Sequence, residues 1–122
     1  MRLYFLLAAL LLATALALLE QWAIVEHLYY RYPWFDVLMH LIGGALTGSF
    51  LAAVLLRYRP MFFLALATAV LAGWEVFEYL IGVPREMNFI FDSALDLLMG
   101  ALGVLAAYAI ARNSLWSFIS RV

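Results

Sequence analysis

"DVLMHLIGGALTGSFLAAVLL", residues 36–56, decides how the chain is read. Its length is close to the ~20 residues a helix needs to cross the ~30 Å hydrocarbon core of a bilayer. The only ionisable side chains in it, Asp36 and His40, stand at its start. Residues four apart on a helix share a face, so this run raises a chemical question together with a topological one.

Outward from this stretch, apolar runs of similar length occupy residues 3–25, 61–82 and 91–111. The connections "HLYYRYP" (27–33), "RYRP" (57–60) and "GVPREMNFI" (82–90) carry charge together with Pro or Gly, as turns do. Of the 122 residues, 69% are apolar and 12% charged, where a soluble domain carries about 25% charged. Mean hydropathy is +1.03. The fold class expected is therefore an all-α integral membrane protein, a four-helix transmembrane bundle. Residues 1–122 then form a single transmembrane domain, with no room for a soluble one. The tail at 113–122, "NSLWSFISRV", mixes Trp116, Phe118 and Ile119 with polar residues and reads as a short interfacial segment. The basic start and the A-L-A at 15–17 also fit a cleaved leader. The apolar stretch outruns the ~7–15 residues of a leader core, which favours a retained span.

All seven basic residues are arginine. Arg2, Arg57, Arg59, Arg112 and Arg121 fall on one side of a four-span topology and Arg31 and Arg85 on the other. This predicts that both termini are cytoplasmic, with a prokaryotic cytoplasmic (inner) membrane as the expected location. The acids Glu20, Glu26, Asp36, Glu75, Glu78, Glu86, Asp92 and Asp96 all gather towards the opposite side, where Trp22, Tyr29, Tyr30, Tyr32 and Trp34 form an aromatic belt. Glu26, His27 and Arg31 read as solvated loop charges.

Counting inward at ~1.5 Å per residue puts Glu20, His40, Glu78 and Asp96 about one turn deep, one from each helix. Glu75 lies a turn below Glu78, and Asp36 and Asp92 lie a turn above His40 and Asp96. Small residues continue these faces inward: Ala9, Ala13 and Ala17 below Glu20, Gly44 and Gly48 below His40, Thr68 and Ala72 below Glu75, and Gly100, Gly103 and Ala107 below Asp96. Small residues let membrane helices approach closely, so the acids are expected to top the bundle seam. Carboxylates at that depth cost at least ~2.5–3.5 kcal/mol each on insertion scales. Either protons and hydrogen bonds across helices or a bound cation must compensate them.

The ordered motifs Asp36-x3-His40, Trp74-Glu75-x2-Glu78, Pro84-Arg85 and Asp92-x3-Asp96-x3-Gly100-x2-Gly103 resemble those of the VanZ-like membrane proteins, nearest the uncharacterised YjdF-related branch. The resemblance covers residues 36 to about 107. It implies a helical membrane fold with a site at these residues. Acids at Glu78 and Asp96, where VanZ itself is expected to carry Gln and Asn, make this site more anionic. VanZ is associated with lowered sensitivity to teicoplanin, which transfers no chemistry.

Carboxylates and an imidazole at one level suit Mg²⁺, Mn²⁺, Fe²⁺ or Zn²⁺. The candidate ligands are Asp36, His40, Glu75, Glu78, Asp92 and Asp96, with His40, Glu75 and Asp96 as acid/base groups and Arg85 as a bidentate holder of a phosphate or carboxylate. One reading is a metal-assisted enzyme acting on a lipid-linked or phosphorylated amphiphile. Others are a cation- or proton-binding transporter and a non-catalytic accessory or binding protein. Few polar residues (Thr14, Thr47 and Thr68) line the seam below Glu75, which disfavours transport through a monomer. The chain lacks cysteine, so disulfides and thiolate chemistry are excluded. No P-loop, dinucleotide fingerprint or basic nucleic-acid surface is present, and Ser93 lies off the predicted seam.

Overall fold

The computed structural model describes residues 2–55, 60–82 and 88–119, with side chains of the last segment to residue 114. These residues form helices α1 (Arg2–Glu26), α2 (Leu28–Arg31), α3 (Trp34–Leu55), α4 (Pro60–Ile81) and α5 (Phe89–Ile119). Four of them, all but α2, are long and apolar enough to cross a membrane. Large apolar side chains such as Leu11, Val70 and Leu98 are exposed, while Asp96 and Ser49 are buried. That inverts the usual soluble pattern and suggests an integral membrane protein.

Local chemistry marks the helix boundaries. Pro60 opens α4, where its missing N–H breaks no helical bond. Gly82, at φ 73°, closes that helix in the left-handed region that favours glycine. Asn88 caps α5, its side-chain oxygen accepting from the Phe91 N–H at 3.4 Å. The first span reverses at His27, which takes a left-handed φ of 53°. The Tyr30 and Arg31 N–H groups then donate to the His27 carbonyl, closing the single turn α2. This turn was expected as plain connection. Arg31 and Glu26 pair at 3.6 Å with both side chains well exposed, in keeping with solvated charges that add little stability.

Helices α3 and α5 form the backbone of the bundle. They run parallel, and their contact is glycine to glycine. A Cβ on Gly44 would collide with the Gly100 backbone, one on Gly103 with the backbone of Leu41 and Ala45, and one on Gly48 would lie 2.8 Å from the Ala107 Cβ. The small-residue faces expected of these two helices therefore form the seam. Helix α1 packs along α3, and α4 rests against both α3 and α5, whereas α1 and α4 hardly touch.

The expected inner face of α4 needs correction. Thr68 and Ala72 are exposed, and the buried side is Phe63 and Ala67, with Leu71 partly covered. On a 3.6-residue helix Phe63, Ala67, Leu71 and Glu78 share a stripe, and large side chains serve there because α4 does not approach its neighbours at backbone distance. The small-residue face of α1 also changes role. Ala9 is buried, but Ala13 and Ala17 line an open cavity. At the far end of the bundle, Leu51, Ala52, Phe63, Ala67, Val104 and Ala111 form a closed apolar cluster that Phe5 of α1 packs against. Finally, α5 continues unbroken through the expected tail to Ile119.

Candidate metal centre

The C-terminal ends of α1 and α4 and the N-terminal ends of α3 and α5 meet at one end of the bundle. Asp36 and Asp92 sit in the first turns of α3 and α5, where the positive ends of the helix dipoles favour negative charge. One turn into α3, the His40 ring stands among carboxylates from three helices. Its Nε2 lies 3.6 Å from Asp36 Oδ1 and 3.5 Å from Asp96 Oδ2, and its Nδ1 lies 3.8 Å from Glu75 Oε1. These separations exceed the 2.7–3.2 Å of an N–H···O hydrogen bond. The two at Nε2 match the ~3.3–3.6 Å that separates two atoms bound tetrahedrally to one ion at ~2.0–2.2 Å.

Two groups of ligand atoms lie within 4.8 Å of one another: Asp36, His40 and Asp96, and His40, Glu75 and Glu78. The first is the better ion site. Asp96 is 4% exposed, and its Oδ1 is buried without a hydrogen-bond partner, a costly state for a carboxylate oxygen unless a proton or a cation answers it. In the second group, Glu78 Oε1 already accepts from the Trp74 indole N–H at 2.7 Å. An ion on Nε2 would leave Nδ1–H facing Glu75, the carboxylate–histidine–metal arrangement that fixes ring orientation and raises ligand basicity. Imidazole nitrogen with two carboxylates suits Zn²⁺, Mn²⁺ or Fe²⁺ better than Ca²⁺.

Of the sequence candidates, Asp36, His40, Glu75, Glu78 and Asp96 come together. Asp92 is half-buried one turn before Asp96 and belongs to neither group. Arg85 lies outside the described residues. The cluster closes one end of a cavity of about 600 Å³ whose walls come mainly from α1, α3 and α4, with Tyr29 of α2 and Asp96 and Leu97 of α5. Its polar end holds Glu20, Tyr29 and the cluster itself, and its other end is formed by Ala13, Leu46, Thr47 and Val70. The Thr47 hydroxyl is spent on the Gly43 carbonyl at 2.9 Å, so the inner end is effectively apolar.

Tyr29 is the residue that sequence reasoning missed, having read it as belt. Its hydroxyl donates to Glu20 Oε2. Burial first, then the bond to and charge of Glu20, with Asp36 and Glu78 beyond, hold this phenol far above the ordinary tyrosine range, so it stays a donor. The reversal at His27 carries it back over the end of α1, and histidine, though enriched at positive φ among non-glycine residues, is too common elsewhere to mark that turn. Tyr29→Phe is expected to cost about 1.5–3 kcal/mol, as a bond to a charged group does. Thermal unfolding in detergent checks this, and with Glu20→Gln already present the loss should shrink.

Fold and site together define a class: a small all-helical protein with four candidate membrane spans and a histidine–carboxylate cluster at one end. No family model, curated protein or solved structure matches the chain.

Proposed function

We propose that this is a divalent-metal-dependent membrane protein acting on a lipid-linked or phosphorylated amphiphile at the extracytoplasmic face, with both termini in the cytoplasm. The observation that carries the reading is the buried, unpartnered Asp96 oxygen beside His40 and Asp36 at ligand spacing, at the head of a cavity otherwise apolar. Asp36, His40 and Asp96 hold the ion, and Glu75 orients the imidazole. An ion held there by these three groups would leave a coordination position open and would supply Lewis-acid polarisation of a phosphoryl or ester oxygen, or a more acidic bound water. Glu75 and Glu78 are placed to take and return the proton. A VanZ-like affiliation is part of the proposal and rests on the ordered motifs from Asp36 to Gly103.

Transport through the chain is the weaker reading. The Thr14 hydroxyl is bound to the Leu10 carbonyl and that of Thr47 to the Gly43 carbonyl, and the apolar cluster around Phe63 closes the bundle beyond them. No polar path crosses the described residues.

Two experiments test the proposal. In detergent, the metal-loaded protein is expected to release phosphate from short-chain alkyl phosphates or pyrophosphates and to stop when chelated. A loaded protein that turns over none of them favours the accessory reading. For topology, reporters fused at the C terminus should read as cytoplasmic and those in the 27–33 connection as external. A C-terminal reporter that reads as external would overturn the orientation.

A further inference from the structure

From the cavity between α1 and α4 we infer that the amphiphile proposed above is single-chain, enters sideways from the outer leaflet, and carries an ammonium group beside its phosphoryl group, the free carboxylates facing the ammonium. This inference rests on the reading and the membrane orientation proposed above. Helices α1 and α4 both wall the cavity yet hardly touch, so the gap between them opens laterally and not only at the end of the bundle. From Asp36 to Thr47 the slot follows α3 for about 16 Å at 1.5 Å per residue, close to half of the ~30 Å hydrocarbon core. A slot one leaflet deep, ionic at the headgroup level and apolar towards the midplane, matches an amphiphile of that leaflet. A volume of about 600 Å³ is that of a small-molecule site.

Charge selects the head. With one divalent ion on Asp36, His40 and Asp96, the carboxylates Glu20, Glu75 and Glu78 still leave the polar end anionic. Glu20 and Glu78 stand on the two helices that flank the gap, each held by an aromatic partner, Tyr29 and Trp74. Trp74 is 53% exposed, packs one side against the Phe77 ring and lines the slot. Carboxylates beside a partly exposed indole attract an ammonium group by charge and by cation–π contact. An anionic head would meet the same carboxylates as repulsion and could approach only through the ion.

The floor supplies the means of testing this. A Cβ on Gly43 meets nothing within 4 Å, and Gly43 lines the slot, so Gly43→Leu fills the slot while sparing the α3–α5 seam. Binding of dodecylphosphocholine, dodecyl phosphate and dodecanol to the full chain in uncharged maltoside micelles would be read by the emission of Trp74 against a Trp74→Phe control. Dodecylphosphocholine is expected to saturate a site about tenfold tighter than dodecyl phosphate, the size of one cation–π or exposed ion contact. Glu20→Gln with Glu78→Gln should erase that preference, and Gly43→Leu should abolish binding of all three while leaving Mn²⁺ affinity unchanged. Equal or tighter binding of dodecyl phosphate by the parent chain, or phosphocholine binding that survives in a folded Gly43→Leu, overturns the inference. Loss of Mn²⁺ binding in the parent chain would instead count against the metal centre alone.

Discussion

Gly44→Ala is expected to be among the most destabilising single substitutions in the chain, while Gly43→Ala one residue away is expected to be neutral to stabilising. The Gly44 Cβ would land on the carbonyl of Gly100, a backbone atom that cannot rotate aside. Relief requires α3 and α5 to separate along the contact that organises the bundle. Overpacking typically costs about 1–3 kcal/mol, and a rigid backbone partner puts Gly44 at the upper end. At Gly43 the added methyl meets open space, and alanine gains up to about 1 kcal/mol over glycine in a helix interior. Denaturant titration in mixed micelles gives both values. Equal losses at the two positions would mean that α3 and α5 do not meet through this face.

The second large effect is chemical. Asp96→Asn and His40→Gln are each expected to remain folded and to lose divalent-ion affinity by on the order of 100-fold or more, whereas Glu75→Gln should lose about 10- to 100-fold, the range for groups that orient a ligand. Asparagine keeps the shape of Asp96 and removes its charge, so the neighbouring carboxylates repel one another less. Asp96→Asn should therefore be as stable as the parent chain without metal, or more so. A histidine that only tied helices together would behave in the opposite way: His40→Gln would melt early, and metal affinity would be unchanged in the fraction still folded. Titration calorimetry run beside thermal unfolding separates the two.

Much of this was legible in the sequence because the bilayer fixes helix length. Four apolar runs near twenty residues placed the long helices to within a few residues, except at the end of α5, expected at 111 and found at Ile119, and counting turns from their ends put Glu20, His40, Glu78 and Asp96 at one level, with Asp36 a turn above and Glu75 a turn below. The glycines of α3 and α5 marked the close seam because only glycine permits that approach. What stayed hidden depended on tertiary context. The face of α4 was misassigned to Thr68 and Ala72 because small size was used as the signal, when Phe63 and Leu71 fill the wider gap. Asn113 and Ser114 were read as opening a separate tail, yet neither breaks a helix, and the Ser114 hydroxyl bonds back to the Ile110 carbonyl. Tyr29 reaches Glu20 only through the reversal at His27, and Asp92, on the right helix at the right period, lies a turn too far out for either ligand group.

The most direct test of the account is the metal content of the purified protein after equilibration with Zn²⁺ or Mn²⁺ and desalting, paired with an anomalous scattering map. The account predicts close to one ion per chain, with its peak bounded by His40 Nε2, Asp36 and Asp96 and lost in Asp96→Asn. A chain that retains no ion, or whose peak lies away from His40 and persists in that variant, would contradict it.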